Sequence, residues 1–467
     1  MKQLRNNIKT FLLIFLSLFV LFTGGVILQS QRARTTLFAS SGENRAALAQ
    51  RYSQAGSIYS SDGVTLASSD EDGKRSYSSD PQLAEAALHV VGDYTHNITY
   101  TVESLWQNEL LGEGRSLSEQ FLLDIQGKGF QGNDLKLSLR SDLMKTAYEL
   151  LGGRKGAAVV INYKTGAVLA SVSSPSVHPD QVVAWKDIPD TSLFNRAFLG
   201  EYLPGSTFKI ITASALLQSN LSTKEIVTCL GSTPIIPGGV NETHANAGHG
   251  NVSLVEAMAQ SCNHYFGYIG LELGDQRISR AAEQMAFNEK IEFDRFSLSK
   301  SQCLIGREDD AALTWAAIGQ AAGEDIITVS PLHLAMISGM IANSGRMTET
   351  YLMESIIYPS GNESIFDNRG DLVAQIDPGL AQNLKDLMRQ VVNSGTGTNA
   401  QVSGLDVCGK TGTAEAYNKE GELVISSLFT GFSNNQDYPF AVAVVLDDST
   451  YGSSVIAGQL LAAAAYD

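Results

Sequence analysis

Three short strings, far apart in the chain, constrain its fold more than any other feature. They are Ser206-Thr207-Phe208-Lys209, Ser261-Cys262-Asn263 and Lys410-Thr411-Gly412-Thr413. Read as S-x-x-K, S-x-N and K-T-G, they supply a hydroxyl nucleophile, an amine base, a polar shuttle and a cationic strand. Such a set can open an acyl bond with no histidine, metal or cofactor. It works only inside one crevice, so the fold must bring all three strings into contact.

Each string has a copy elsewhere, and context separates the copies. S-x-x-K recurs at Ser297 to Lys300, S-x-N at Ser360 to Asn362 and at Ser433 to Asn435, and K-T-G at Lys164 to Gly166. Before Ser206, Pro204 and Gly205 end the preceding segment; after it, Phe208, Ile211, Ala215 and Leu216 follow at helical spacing. This predicts Ser206 in the first turn of a buried helix, with Lys209 one turn on and on the same face. Taken alone, the string reads more simply as a helix cap. Ser297 lies in a polar stretch with no helix start. Ser261-Cys262-Asn263 sits between two helix-like runs, Val252 to Ala259 and His264 to Gly274, whereas Ser433 to Asp437 is a plain turn between strands. Lys164 joins two apolar runs, Ala157 to Ile161 and Ala167 to Val172, and reads as a solvated hairpin turn. Lys410 instead continues an apolar strand start, Leu405 to Gly409. Alternation puts Thr411 and Thr413 on one face, with Lys410 and Gly412 on the other. Gly412 lets a ligand or a second backbone come close.

At 467 residues, 43% of them hydrophobic, the chain can fill more than one domain. Its net charge of −16 lacks the basic footprint of a nucleic-acid partner. Lys2, Arg5 and Lys9 precede an uncharged run from Phe11 to Leu28, which reaches roughly 27 Å as a helix. The run continues through Val26-Ile27-Leu28, so it reads as a retained anchor rather than a cleaved signal. About ten residues precede it. Arg32 and Arg34 follow, so the charge bias is modest.

The chain resembles the transpeptidase domain of class B penicillin-binding proteins. Beyond the three strings, the resemblance rests on Phe194-Asn195-Arg196-Ala197, Gly319-Gln320, Val329 to Ala335, Ile341 to Gly345, Gly395-Thr396-Gly397-Thr398, Phe429 to Phe432 and Ala441 to Leu446. It covers roughly Asp134 to the C-terminus. Upstream, Gly56 to Ala67 resembles the family's juxtamembrane strand motif, with an Asp62-Gly63 turn between two strand-like pieces. It departs from that motif at Ala55 and at Ser60-Ser61.

The resemblance implies an α/β (α+β) fold: the penicillin-binding transpeptidase fold, with an antiparallel sheet covered by helices on both faces. The sheet would start with the Lys164 hairpin, receive a helical middle from about Ser206 to Asn343, and end with strands at Lys410, Phe429 and Ala441. Gln459 to Ala465 would form a final helix. The expected division is a cytoplasmic tail (1–10), a transmembrane signal-anchor (11–30), a small β-rich non-catalytic domain (31–133) and the transpeptidase domain (134–467). The first hundred residues after the anchor are too few for a glycosyltransferase domain. The chain would be a single-pass protein of the bacterial cell membrane with its catalytic domain outside.

The implied reaction is D,D-transpeptidation of peptidoglycan stem peptides through a Ser206 acyl-enzyme, with β-lactams acylating the same serine. Lys209 would be the base and Ser261 the proton relay. Asn263 would orient the peptide, and Thr411 and Thr413 would bind its terminal carboxylate. Lys410 would set the local field and Gly412 would line the site. The backbone N–H groups of Ser206 and Thr413 would form an oxyanion hole. Burial and the charge of Lys410 are both expected to lower the Lys209 pKa. A membrane-embedded glycosyltransferase is an implied partner.

Alternatives are a D,D-carboxypeptidase or β-lactamase-type hydrolase of the same superfamily, and a non-catalytic penicillin-binding scaffold or sensor. A histidine-dependent hydrolase would need His244, His249 or His264, yet no G-x-S-x-G elbow surrounds any serine. Cys229, Cys262, Cys303 and Cys408 would allow three disulfide connectivities if all paired. Cys262 and Cys408 lie in or beside site strings where small buried thiols fit, so mostly free thiols are expected. No C-x-x-C spacing is present, and neither metal nor cofactor is expected.

Overall fold

The computed structural model describes residues 2–36, 52, 54–70, 72, 74–113, 115, 121, 123–126, 131–242, 247–306, 309–366, 370–417, 423–447 and 452–467. At its centre is a five-stranded antiparallel sheet. Its order is Val407–Tyr417, Leu423–Ser433, Phe440–Leu446, Gly156–Asn162 and Val168–Ser174. The two strands around Lys164 form the expected hairpin, and the K-T-G strand lies at the opposite edge. The inner strands Gly156–Asn162 and Phe440–Leu446 are buried on both faces, which is why they read as apolar runs rather than alternating ones.

Helices cover both faces. On one, Thr430 Oγ1 donates to Leu334 O at 2.8 Å and meets Ser338 Oγ at 2.7 Å in the helix Pro331–Ala342. Three residues back, Ser427 Oγ meets Ser453 Oγ at 2.8 Å in the helix Ser453–Tyr466. An odd spacing along one strand puts these partners on opposite faces. The final helix therefore begins earlier than the Ala/Leu-rich tail suggests. Its first turn is polar in sequence but buried against Ser427.

The helical middle lies between the second and third strands of the sheet in chain order, as expected. Ser206 departs from expectation, because it occupies a 3-10 turn, Gly205–Phe208, that feeds the α-helix Lys209–Gln218. The cause is local. Gly205 has φ +51°, and Pro204 O accepts both the Thr207 N–H at 3.2 Å and its hydroxyl at 2.7 Å. These i+3 bonds tighten the turn. The run from Val252 likewise becomes helical only at Leu254, because Ser253 and Glu256 form a capping box.

A second, six-stranded sheet has the order Glu363–Ile365, Met353–Ile357, Asp134–Leu137, Ile58–Tyr59, Thr65–Ser69, Arg75–Tyr77. Ile58–Tyr59 runs parallel to Asp134–Leu137, which pairs antiparallel with Met353–Ile357. The division expected between residues 133 and 134 thus falls inside one sheet. The Asp62-Gly63 turn links Ile58–Tyr59 to its antiparallel partner Thr65–Ser69, as the sequence predicts. Beside them Arg75 Nε and Glu103 Oε1 form a buried ion pair at 2.8 Å, and Arg75 Nη1 donates to Gly56 O at 2.8 Å. At the N-terminus the helix Lys2–Thr36 contains one segment, Asn6–Gly25, long and apolar enough to cross a membrane.

The buried pair yields a stability test. Glu103→Ala leaves the Arg75 charge buried without its carboxylate and is expected to lower stability by about 3 kcal/mol. Replacing both residues by Met and Leu is expected to cost less than the single change. Denaturant unfolding of the full chain in detergent measures both.

Candidate active site

The K-T-G strand, the Ser206 turn and the Ser261 turn meet at the free edge of the central sheet. The first two touch backbone to backbone. A Cβ on Gly205 would lie 2.3 Å from Thr413 O, and one on Gly412 would lie 3.0 Å from Pro204 O. Of the two readings open for Gly412, the second backbone is what it admits. The contact sets half-buried Ser206 beside Thr413 at the mouth of a cleft of about 770 Å³. Ser261, Asn263, Gln320, Thr396 and Thr411 line the same cleft. Among the described residues, Ser206 Oγ has no hydrogen-bond partner.

Ser261 follows the helix Leu254–Gln260 in the left-handed conformation, φ 58° and ψ 38°. For a residue with a Cβ this is strained, by roughly 1–3 kcal/mol. The conformation aims both the carbonyl and the hydroxyl of Ser261 at buried lysines. Lys209 Nζ donates to Ser261 O, to Ser261 Oγ at 3.2 Å and to Asn263 Oδ1 at 2.7 Å. Lys410 Nζ donates to the same Ser261 Oγ at 2.9 Å and to Thr411 O at 2.9 Å. Both lysines are fully buried. Burial pushes the Lys209 pKa down to about 8, against an upward pull from Glu242. Burial pushes Lys410 well below the ordinary lysine range, and the neighbouring Lys209 charge adds to the fall. The repulsion that the sequence reading assigned to Lys209 falls chiefly on Lys410, which has two acceptors against three. Two ammonium groups crowding one hydroxyl make a neutral amine accessible near physiological pH.

On the strand, the Thr411 and Thr413 side chains and the Gly412 backbone line the cleft, while the Lys410 side chain is fully buried. Thr411 Oγ1 meets Thr396 Oγ1 at 2.6 Å, and Thr396 N–H is held by Ala259 O at 3.0 Å. The Thr396 loop thereby ties the K-T-G strand to the helix that presents Ser261.

Two further residues shape the site without a motif to announce them. Gln320 lies against the strand edge. With its amide turned to suit its neighbours, it donates to Glu415 O and accepts from Glu415 N, each at 3.2 Å. Glu415 therefore faces outward, and so do the N–H groups of Thr413 and Thr411 two and four residues away. Glu242 accepts from the backbone N–H of Asn263 at 2.6 Å and of His264 at 3.2 Å, and so fixes the Ser261 turn from below. Gln320 was visible in sequence only within a family pattern. Glu242 lies in an irregular loop and gave no signal.

The remaining candidates fall outside the cleft chemistry. Ser297 hydrogen-bonds Glu292 in a two-stranded hairpin, Lys164 caps Gln436 O in an exposed turn, and Ser360 and Asn362 sit in another. His264 is buried and accepts the Leu230 N–H at 3.2 Å, a packing role. His249 lines the cleft, and His244 lies outside the described residues. All four cysteines are buried free thiols.

A helix-covered antiparallel sheet with a serine, a shared hydroxyl and two buried lysines at one edge defines a serine acyltransferase class that uses lysine in place of histidine. Residues 156–465 match the family model of the penicillin binding protein transpeptidase domain, and the chain belongs to that family. It is 29% identical to a peptidoglycan D,D-transpeptidase PbpA of Mycolicibacterium smegmatis, covering 94% of each chain. It is 28% identical to the peptidoglycan D,D-transpeptidase MrdA of Acinetobacter baumannii, over 69% of this chain and 52% of the relative. Among solved structures it superposes on the D,D-transpeptidase domain of a peptidoglycan glycosyltransferase from Eggerthella lenta (TM-score 0.74, 30% identity, covering 88% of this chain and 98% of the other). It also superposes on the imipenem acyl-enzyme of penicillin-binding protein A from M. tuberculosis (TM-score 0.76, 25% identity, 89% and 100% covered).

Two outcomes follow from the geometry. Ser261→Ala and Ser261→Gly both remove the hydroxyl, but only glycine relaxes the left-handed backbone. The glycine variant is expected to be the more stable by about 1 kcal/mol in denaturant unfolding. If the Lys209 amine must be neutral to act, penicillin acylation should rise with pH and level off above about 8. Stopped-flow acylation from pH 6 to 9.5 reads this directly, and a flat profile would reject Lys209 as the titrating base.

Proposed function

We propose that the chain is a peptidoglycan D,D-transpeptidase that works through an acyl-enzyme on Ser206. The observation that carries this reading is the convergence of Lys209 and Lys410 on the hydroxyl of Ser261, beside an unpartnered Ser206 hydroxyl.

Lys209, in its neutral form, takes the proton of Ser206 as Oγ attacks the penultimate D-alanyl carbonyl of a stem peptide. In the resting site Lys209 is held by Ser261 and Asn263, so this contact tightens when substrate fills the cleft. The outward N–H of Thr413 and that of Ser206 stabilise the oxyanion, a contribution of about 3–4 kcal/mol per donor. Thr411 and Thr413 hold the terminal carboxylate through their hydroxyls, and Gly412 keeps the strand against the turn. Ser261, bridging the two lysines, passes a proton to the departing D-alanine amine. Asn263 aligns the donor peptide. The amine of a second stem peptide then attacks the ester, closes the cross-link and returns Ser206 to its free form. β-Lactams enter as mimics of the donor and stay on Ser206 as slow esters.

The relatives named D,D-transpeptidases and the neighbour trapped with imipenem support this chemistry. The apolar Asn6–Gly25 segment supports a single-pass anchor in the cell membrane, and a peptidoglycan substrate requires the cleft to lie outside that membrane. A membrane-embedded glycosyltransferase would supply the glycan strands whose peptides are joined. Within this reading residues 134–467 carry catalysis and residues 31–133 do not.

Two measurements test the proposal. After incubation with penicillin, peptide mass spectrometry is expected to find the adduct on the peptide holding Ser206, and Ser206→Ala is expected to abolish it. With a defined stem peptide and an acceptor amine, cross-linked product is expected to exceed hydrolysed product. Hydrolysis alone, undiminished by acceptor, would make the enzyme a carboxypeptidase instead.

A further inference from the structure

The free edge of the K-T-G strand is largely occupied before any substrate arrives. Val407–Tyr417 is the end strand of its sheet, so every second residue turns its N–H and C=O outward. Beside the nucleophile these residues are Thr411, Thr413 and Glu415. Lys410 Nζ holds Thr411 O at 2.9 Å. Gln320, with its amide turned as above, donates to Glu415 O and accepts from Glu415 N, at 3.2 Å each. Its tip also lies 3.5 Å from Thr413 O, at the border of the one residue left open.

An exposed edge is a template on which an extended peptide adds as a further strand. In the reaction above, the carbonyl of the penultimate D-alanine meets the N–H of Thr413. Residues that exchange both hydrogen bonds recur every two positions along an antiparallel ladder. The donor residue two places before that D-alanine therefore falls opposite Glu415. There it meets a glutamine amide already making both bonds that an added strand would make.

Gln320 is fixed in that place from behind. Gly319 has φ +76°, and its carbonyl accepts the Gly205 N–H at 3.0 Å. A Cβ on Gly319 would lie 2.2 Å from Gly205 O. The Gln320 N–H donates to Trp315 O at 3.0 Å. The glutamine thus rides on the turn that carries Ser206. A peptide displacing its amide would exchange two hydrogen bonds for two and would have to order one more residue. The exchange brings no advantage, so the amide stays.

We propose that Gln320 is a specificity-determining cap: its amide stands in for a substrate residue at Glu415, so the donor pairs with the edge at Thr413 alone. The proposal rests on the transpeptidase reading and says how much of the stem peptide that site reads. Backbone recognition is confined to the D-alanyl end, and residues upstream of it are free of the strand.

The test uses the full chain in detergent and two donors. One is acetyl-L-Ala-L-Lys-D-Ala-D-Ala, whose first alanine would pair with Glu415. The other begins with L-lactate, which replaces that alanine's N–H by an ester oxygen. Each donor competes against acylation of Ser206 by a fluorescent penicillin, a readout of affinity that does not depend on cross-linking. Wild type is expected to bind the two equally. Gln320→Ala uncovers Glu415 and is expected to bind the alanine donor about fivefold more tightly than the lactate one, the effect of one backbone hydrogen bond. Gln320→Met keeps the side-chain volume, removes both hydrogen bonds and serves if the smaller residue costs the fold. A merely structural glutamine would weaken both donors alike and leave their ratio at one in the variants, which would overturn the proposal. So would a wild type that already prefers the alanine donor. Protection without the expected contrast sinks this inference alone, whereas no protection by either donor sinks the transpeptidase reading with it.

Discussion

The catalytic edge depends on two stretches of backbone meeting with no side chain between them. The Ser206 turn lies directly on the K-T-G strand, and Gly205 and Gly412 are the positions where a Cβ would part them. Everything else at the site assumes this contact. It sets the serine beside the outward N–H of Thr413, and it lets two lysines from different elements approach one hydroxyl. A shift of a single ångström here would separate groups whose chemistry depends on hydrogen-bond distance.

The lysine pair shows how the fold manages charge. Two buried ammonium groups with only Glu242 to oppose their charge are costly, and burial lowers the pKa of both, that of Lys410 further through its neighbour Lys209. Ser261 pays for its place between them with a left-handed backbone. Such strain persists because the helix before it, the capped helix after it and Glu242 over-determine the turn.

Much of this was legible in the sequence, for identifiable reasons. The Lys164 hairpin, the alternation along Lys410 to Thr413 and the turn between two helices at Ser261 all rest on local periodicity. Local rules also separated true strings from copies, because Ser297 and Lys164 lacked the surrounding pattern. What was not legible depends on distant segments. The hydrogen bonds of the 3-10 turn at Ser206 are local, but the close approach of Gly205 to Thr413 that seats the turn on the strand is not. Gln320 and Glu242 act through backbone groups, which leave no side-chain signature. The pairing of Asp134–Leu137 with Met353–Ile357 joins residues more than two hundred positions apart. No window of sequence records such a partner.

That second sheet has a practical side. The match to the family model starts at residue 156, yet Asp134–Leu137 and the strands from Ile58 to Tyr77 lie before it and are built into the same layer as Met353–Ile357. A chain trimmed to the recognisable region would strip Met353–Ile357 of its neighbour on one side. Raw amides and the apolar surface that Leu135 and Leu137 now bury would face water, an invitation to aggregate. Soluble versions of this enzyme should therefore begin ahead of Gly56, just past the anchor, rather than where the family likeness begins.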